Sequence, residues 1–294
     1  MMRDPDARDG LGARMPAQGE SAEQLAGRQD VAGLLTPWQK VAMARHGARP
    51  YTLDYIRHLC TDFVELHGDR RFGDDSAIVS GPAFLYGRAV MIVGQQKGRD
   101  TRENVRRNFA MAHPEGYRKA QRMFLQAESL ALPVVTLIDT PGAAVGVADE
   151  ERGQAEAIAG CIRVLARLRV PVVSVIIGEG NSGGALALGV ADRLLMLEHA
   201  YFSVAAPEAA AAILYRSAVH APKAAEALGI TAEDLFARGL IDGIIREPPG
   251  GSQCDHGTAA AALGERVVAE LDGLLTVPVD LLLARRYAKY RGLC

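Results

Sequence analysis

Along the chain, short unbroken apolar runs alternate with segments in which apolar residues recur every three or four positions. The runs Ala89 to Gly94, Pro133 to Ile138, Val170 to Ile177 and Arg193 to Leu197 predict buried strands. Ala120, Met123, Phe124, Ala127, Leu130 and Ala131 line one face of a predicted helix, and Ala155, Ile158, Ala159, Ile162 and Leu165 line another. Each helix stands just before a strand, an order that predicts α/β layers around a largely parallel sheet. The pattern fades at both ends. Residues 1–35 hold no aromatic side chain and little periodicity before Val31, Leu34 and Leu35, so they predict a mobile tail. Beyond Pro248, Pro249, Gly250 and Gly251, helical spacing returns at Leu263, Val267, Val268, Leu271 and Leu274, and 252–294 is read as a C-terminal helical segment behind a main domain of 36–251.

Composition narrows the class. The 294 residues are 49% hydrophobic and 23% charged, enough to bury a large core and too apolar for disorder throughout. With 33 Lys and Arg against 35 Asp and Glu, the net charge of -2 exerts no long-range pull toward nucleic acid or an anionic membrane. No run approaches the roughly 18 apolar residues of a membrane span, and the N-terminus lacks a signal-peptide pattern, so a cytoplasmic location is expected. Cys60, Cys161, Cys254 and Cys294 show no spacing that would put two thiolates on one zinc, so neither a metal site nor disulfides are expected.

Two predicted strand-to-helix turns interrupt this pattern, and such turns present backbone N–H groups and the positive end of a helix. One runs from Asp139 through Thr140, Pro141, Gly142 and Ala143 to Ala144. The other runs from Gly178 to Gly184 and holds four glycines in seven residues. The second turn fits three chemistries. Gly178, Gly180 and Gly183 satisfy a dinucleotide fingerprint with Glu198 as the ribose acid, although the residues left before Ala191 are few for a crossover helix. Gly180 to Gly184 also satisfy a nucleophile elbow around Ser182, with Asp242 and His256 following in hydrolase order. Third, the amides of Gly183 and Gly184 can form an oxyanion hole that needs no side-chain nucleophile. Against all three stands a purely structural reading, in which the glycines let a helix pack closely on a strand.

Longer segments carry a resemblance. ARHGARPYTLDYI (44–56), FVELHGDRRFGDD (63–75), QKGRDTRENVRRNFAM (96–111), HPEGYRKA (113–120), IDTPGA (138–143), EERGQAEAIA (150–159) and GEGNSGGALALGVADR (178–193) together resemble the alpha subunit of bacterial acetyl-CoA carboxylase carboxyltransferase over about 38–251. The resemblance implies a crotonase-like spiral of ββα units and favours the oxyanion hole. It also implies transfer of a carboxyl group from carboxybiotin, borne on a biotin carboxyl carrier protein, to acetyl-CoA, giving malonyl-CoA for fatty acid synthesis. By that likeness a separate beta subunit carries the zinc ribbon and most of the coenzyme A side of an α2β2 assembly, and this chain alone is expected to be inactive. Carboxybiotin would itself serve as base, which accounts for the lack of an acid/base triad. Gly183 and Gly184 would then hold the biotin ureido oxygen, Gly142 and Ala143 would line the neighbouring wall, and Gly180, Asn181 and Ser182 would complete the substrate-binding turn.

The departures from that family matter as much. Asn181 stands where the family has glycine, Ala144 and Val145 replace Tyr-Pro, and Gln95 replaces a histidine. Ala206, Ala209 and Ala210 replace a serine and a Gly-Cys pair. They allow a specialised paralogue that acts on another acyl or malonyl thioester, or a non-catalytic subunit. Lys97, Arg99, Arg102, Arg106, Arg107, Arg118 and Lys119 form a local basic cluster, read either as a phosphate or carrier site or as a solvated face and ion pairs to a partner. Asn108, His113 and Glu115 in the same stretch are given structural roles.

Overall fold

The structure, a computed structural model, describes residues 35–293. The tail expected over 1–35 therefore lies outside the described residues, apart from Leu35.

Helix α1 (Pro37–Ala44) starts at a capping box, where Thr36 accepts from the Gln39 N–H and the Gln39 side chain returns the bond. Helix α2 (Thr52–Leu59) leads into β1 (Cys60–Thr61), and β2 (Ile78–Leu85) turns back as β3 (Arg88–Gln95). The two-residue turn between them, Tyr86 and Gly87, has φ of 45° and 80°, the left-handed pair that matches strand twist in a tight hairpin. There follow α3 (Thr101–Arg106), α4 (Pro114–Ser129), β4 (Val134–Thr140), α5 (Val147–Glu151), α6 (Gln154–Arg167), β5 (Val172–Asn181), α7 (Ser182–Gly189), β6 (Arg193–Leu197) and β7 (Tyr201–Ser203). The chain ends with α8 (Pro207–Tyr215), α9 (Ala221–Leu228), α10 (Ala232–Ala237), β8 (Gly243–Ile245), α11 (His256–Leu275) and α12 (Val279–Arg291).

Among the described residues the strands form one mixed sheet in the order β1-β2-β3-β4-β5-β6-β8, with β7 paired to the end of β5. Strands β3 to β6 and β8 run parallel, as their continuous apolar runs predict, and β1, β2 and β3 are antiparallel. Alternation along β4 assigns the two faces. Val135 and Leu137 line one small cavity together with Tyr55, Ile56 and Leu59 of α2 and Leu263 and Val267 of α11, all within the same apolar cluster. Thr136 points the other way, and its hydroxyl bonds the Leu188 carbonyl of α7 at 2.7 Å.

All four predicted strands form. The helix faces are partly displaced. Ala120, Met123, Phe124 and Ala127 are buried, but α4 ends at Ser129, so Leu130 is exposed and Ala131 turns back with φ of 52°. On α6 the buried stripe is Ala157, Gly160, Cys161 and Leu165, with Ala155 and Ala159 exposed, and the helix packs against both α4 and α7. In the C-terminal helical segment, Leu263, Val267, Leu271, Leu274 and Leu282 join the same apolar cluster as the sheet. Arg286 fixes that segment from inside, bonding both carboxylate oxygens of buried Asp192 at 2.8 and 2.6 Å and the carbonyls of Leu165, Leu168 and Val170.

Candidate functional site

The two glycine-bearing segments come together at the ends of β4 and β5. The parallel ladder between these strands loses register between Ile138 and Thr140, which frees the chain to turn through Pro141 to Ala144. The second segment differs from the sequence reading. Gly178 to Asn181 are strand, not turn, because β7 pairs alongside Glu179, Gly180 and Asn181 and buries them. The turn shrinks to the Asn181–Ser182 step, where exposed Ser182 adopts φ of 55°. A non-glycine residue held there costs about 1–3 kcal/mol and persists only under tight constraint.

This bend starts α7 abruptly and leaves its first turn uncapped. The leading N–H groups of any helix lie ahead of its own hydrogen-bond ladder. The usual capping side chain is turned away, since Asn181 is buried and gives its Nδ2 to the Tyr201 hydroxyl at 2.8 Å. The Gly183 and Gly184 amides thus stand at the positive end of α7 without a side-chain acceptor. Gly184 lies against the other turn so closely that a Cβ there would sit 2.7 Å from both Ala143 N and Gly142 C, and 3.0 Å from the Tyr117 hydroxyl. On that facing wall, Gly142 N donates to Thr140 Oγ1 at 3.1 Å, whereas Ala143 N–H has no acceptor among the described residues. Gly183, Gly184, Gly142 and Ala143 are therefore neighbours, Ser182 opens beside them, and Gly180 lies inside β5 beneath Phe202.

Buried polar groups hold the two turns in register; sequence reasoning named Gln95, Lys97 and Asp139 separately and missed that they meet. Gln95 accepts from Asp139 N–H at 3.0 Å and donates to the Gly184 carbonyl at 2.8 Å. Lys97 Nζ lies 2.7 Å from Asp139 Oδ1 and 2.7 Å from Glu179 Oε1. Glu179 also receives Arg45 Nε at 2.8 Å and the Tyr201 hydroxyl at 2.6 Å, and Arg45 continues to Glu208. Burial alone would raise Glu179, but Lys97 and Arg45 override it and hold this carboxyl at about 2. Burial would likewise lower Lys97, yet Asp139 and Glu179 together raise it. Burial, the largest influence on Asp139, pushes its carboxyl up. The residues lie far apart in sequence, so only the charged residue types beside the motifs signalled them.

The competing chemistries lose their geometry here. Asp242 accepts from Leu194 N–H and pairs with Lys289. Leu194 is level with Ser174, and Ser182 lies eight residues further along, about 25 Å at about 3.3 Å per residue. His256 Nε2 is engaged with the Ala48 carbonyl at 2.6 Å. No triad assembles on Ser182, and a fluorophosphonate probe is expected to leave it unlabelled; stoichiometric labelling of Ser182 in a peptide map would reverse that conclusion. The dinucleotide fingerprint fails as well, because Gly178 and Gly180 are buried in the strand and Glu198 is taken by Arg246 and the Glu247 N–H.

The basic cluster is an open patch only at Arg102 and Arg106, which stay exposed. Lys97 pairs with Asp139 and Glu179, Arg99 with Asp54, Arg107 with Glu103, Arg118 with Asp69 and Lys119 with Asp74, so the ion pairs lie within the chain. His113 bonds Asp149, Glu115 bonds Arg152, and Asn108 caps the Met111 carbonyl. Among the departures, Ala144 and Ala210 are buried, while Val145 is 94% exposed. Among the described residues no cluster of His, Cys, Asp and Glu could hold a metal, and no helix is long and apolar enough to cross a membrane.

Ser182 and Gly183 open onto a cavity of about 460 Å³, walled mainly by apolar side chains that include Leu186, Phe202, Val204, Leu228 and Leu235. Comparison with known proteins agrees with this architecture. A family model described as acetyl co-enzyme A carboxylase carboxyltransferase-like matches residues 18–294. The acetyl-coenzyme A carboxylase carboxyl transferase subunit alpha of Carboxydothermus hydrogenoformans is 55% identical over 270 residues, 92% of this chain and 83% of that one. Its counterpart in Stutzerimonas stutzeri is 53% identical over 261 residues, 89% and 83% respectively. Among solved structures, the transcarboxylase 12S core with methylmalonyl-coenzyme A and methylmalonic acid bound superimposes with a TM-score of 0.64 at 21% identity, over 79% of this chain and 43% of that one. A Pseudomonas malonate decarboxylase hetero-tetramer in complex with coenzyme A gives 0.61 at 23% identity, over 80% and 91%. The crotonase-like α/β expectation is met.

Proposed function

Since the chain belongs to the family of acetyl-CoA carboxylase carboxyltransferase alpha subunits, we propose that its uncapped amides at Gly183 and Gly184 receive the ureido oxygen of carboxybiotin while the carboxyl group passes to acetyl-CoA. The observation that carries this reading is the pairing of those amides with the Gly142–Ala143 wall, in a turn where no side-chain nucleophile meets a base. Carboxybiotin would supply both the activated carboxyl group and the base. The residues present fit that group, because they offer N–H donors and no competing acid/base pair.

In this role the chain contributes position and electrostatics. The amides stand at the end of a helix dipole, where negative charge on an oxygen is favoured, and their direction is set before the reaction. Gly142 and Ala143 form the opposing wall, and Gly180, Asn181 and Ser182 shape the bend that aims the amides. A separate carrier protein would bring the biotin arm, and a zinc-ribbon beta subunit would bring most of the coenzyme A site in an α2β2 assembly. Exposed Val145, Val147, Leu186 and Val204 lie on or beside these turns, an apolar border that suits burial under such a partner. The same reading sets the reaction in the cytoplasm, where the free thiols of Cys60, Cys161 and Cys254 stay reduced.

Reconstitution tests the assignment. The isolated chain is expected to form no malonyl-CoA from carboxylated carrier and acetyl-CoA, and addition of a beta-type partner is expected to start turnover. Robust turnover by the chain alone, or none with the partner present, would overturn it.

A further inference from the structure

We propose that Gln95 is a positioning residue for carboxyl transfer, a buried carboxamide brace that fixes the distance between the two amide-bearing turns. The inference rests on the reading of Gly183 and Gly184 as the anion site and adds a residue that acts through them.

Gln95 ends β3 and is fully buried. Its Oε1 takes the Asp139 N–H at 3.0 Å, and its Nε2 gives to the Gly184 carbonyl at 2.8 Å. Asp139 sits where the β4–β5 ladder breaks register, so its N–H needs an acceptor from outside that ladder. The next residues of β4 lead directly into the Gly142–Ala143 wall, and Gly184 is in the first turn of α7. One side chain therefore bonds the root of one turn and the body of the other. Gln95 is itself held from behind, because Thr52 of α2 donates its hydroxyl to the Gln95 carbonyl at 2.6 Å. A shift of this brace moves the Ala143 and Gly184 amides relative to each other, and misplacement by about 1 Å can cost about a hundredfold in rate.

Two substitutions separate positioning from simple packing. Gln95→Met keeps length and apolar bulk but makes neither bond. Gln95→Glu keeps the acceptor for Asp139 and, when ionised, sets a carboxylate oxygen against the Gly184 carbonyl. When protonated it donates there again. The charged and titratable groups around it are Asp139, Glu179 and Lys97 from the adjoining strand ends, Tyr117 from α4, Tyr55 from α2 and, just ahead of α2, Arg49, the last two buried and within electrostatic reach of Asp139. Burial and the two carboxylates favour the protonated form, and Lys97 and the more distant Arg49 oppose them.

In the assembly reconstituted with its partner subunit and biotinylated carrier, Gln95→Met is expected to lower kcat ten- to a hundredfold with KM for acetyl-CoA within twofold. Gln95→Glu is expected to be as impaired at pH 8 and to recover to within about threefold of the unmodified chain, measured at the same pH, near pH 6. If Gln95→Met folds poorly, the pH profile of Gln95→Glu still decides. A kcat within twofold for Gln95→Met, or a Gln95→Glu defect that does not change with pH, overturns the proposal. Gly184→Ala serves as the reference. If it abolishes transfer while the Gln95 variants do not, the brace is rejected and the anion site stands; if all three variants are fully active, both are rejected.

Discussion

Gly184→Ala is expected to slow carboxyl transfer by the reconstituted assembly about a hundred- to a thousandfold, the usual effect of removing a preorganised donor from a developing oxyanion. The new methyl would sit 2.7 Å from Ala143 N and from Gly142 C, distances no carbon tolerates, and both atoms are backbone. A side chain could rotate away; a backbone cannot, so the Thr140–Ala143 turn and the start of α7 must separate. That separation changes the spacing between Ala143 and Gly184 and strains the Gln95 bridge. Forcing extra volume into a packed site also costs about 1–3 kcal/mol of stability, so the melting temperature falls while the fold persists. The Tyr117 hydroxyl, 3.0 Å from the same position, offers a control. Removing it in Gly184→Ala/Tyr117→Phe relieves only the side-chain clash and is expected to restore little activity. Initial rates at saturating acetyl-CoA, with thermal unfolding followed in parallel, measure both effects. A rate within threefold of the unmodified chain would show that the close approach has no part in transfer.

The sequence made the scaffold readable because its core strands are buried on both faces. Runs such as Val172 to Ile177 can be little else, and the helices between them announce their apolar faces. Local pattern failed where a partner strand decided the outcome. Gly178 to Asn181 read as turn on composition, and they are strand because Tyr201 to Ser203, some twenty residues on, pairs beside Glu179 to Asn181 while Thr140 of β4 pairs with Gly180. The same limit displaced the buried stripe of α6, whose neighbours α4 and α7 are distant in the pattern that predicted it. At the proposed site, the glycine run singled out Gly183 and Gly184 and the turn after β4 singled out Gly142 and Ala143, and the fold makes these four neighbours. Asn181 was legible as a departure but not as a buried residue tied to Tyr201. The ion network was invisible: Arg45, Lys97, Asp139, Glu179 and Glu208 come from five separate segments, and no spacing rule links them.

That network carries the other large expectation. Lys97→Met is expected to destabilise the chain by about 3–5 kcal/mol, as removing one partner of a buried ion pair does. For a domain of this size that corresponds to roughly 10 °C in melting temperature. Glu179 would keep Arg45 and the Tyr201 hydroxyl. Among the described residues Asp139 would keep the Glu179 N–H at 2.9 Å and lose Lys97, its direct ion-pair partner, with its second oxygen already buried and unpartnered. The pH dependence separates this cause from lost packing. In the intact chain Glu179 is held at about 2, below its ordinary value of 4.5, so its contribution is complete above 4.5 and lost as pH falls toward 2. Lys97 is raised above 10.5, so its contribution is complete below that value and lost as pH rises past it. Between these limits neither group changes the stability of the intact chain, and the dependence that remains there includes Asp139, which burial already holds above its ordinary value. Without Lys97, burial moves Asp139 further above its unfolded value, and the folded variant binds a proton that the unfolded chain does not. Its deficit must therefore grow from pH 5 to pH 8 and shrink on acidification. Urea midpoints for both chains at pH 5, 6.5 and 8 measure the gap, and parallel curves would mean that the ammonium contributes volume and not charge. Because Asp139 is the residue from which the Gly142–Ala143 wall springs, the same titration should appear in the transfer rate of the assembly, with the variant's relative activity highest at the acid end.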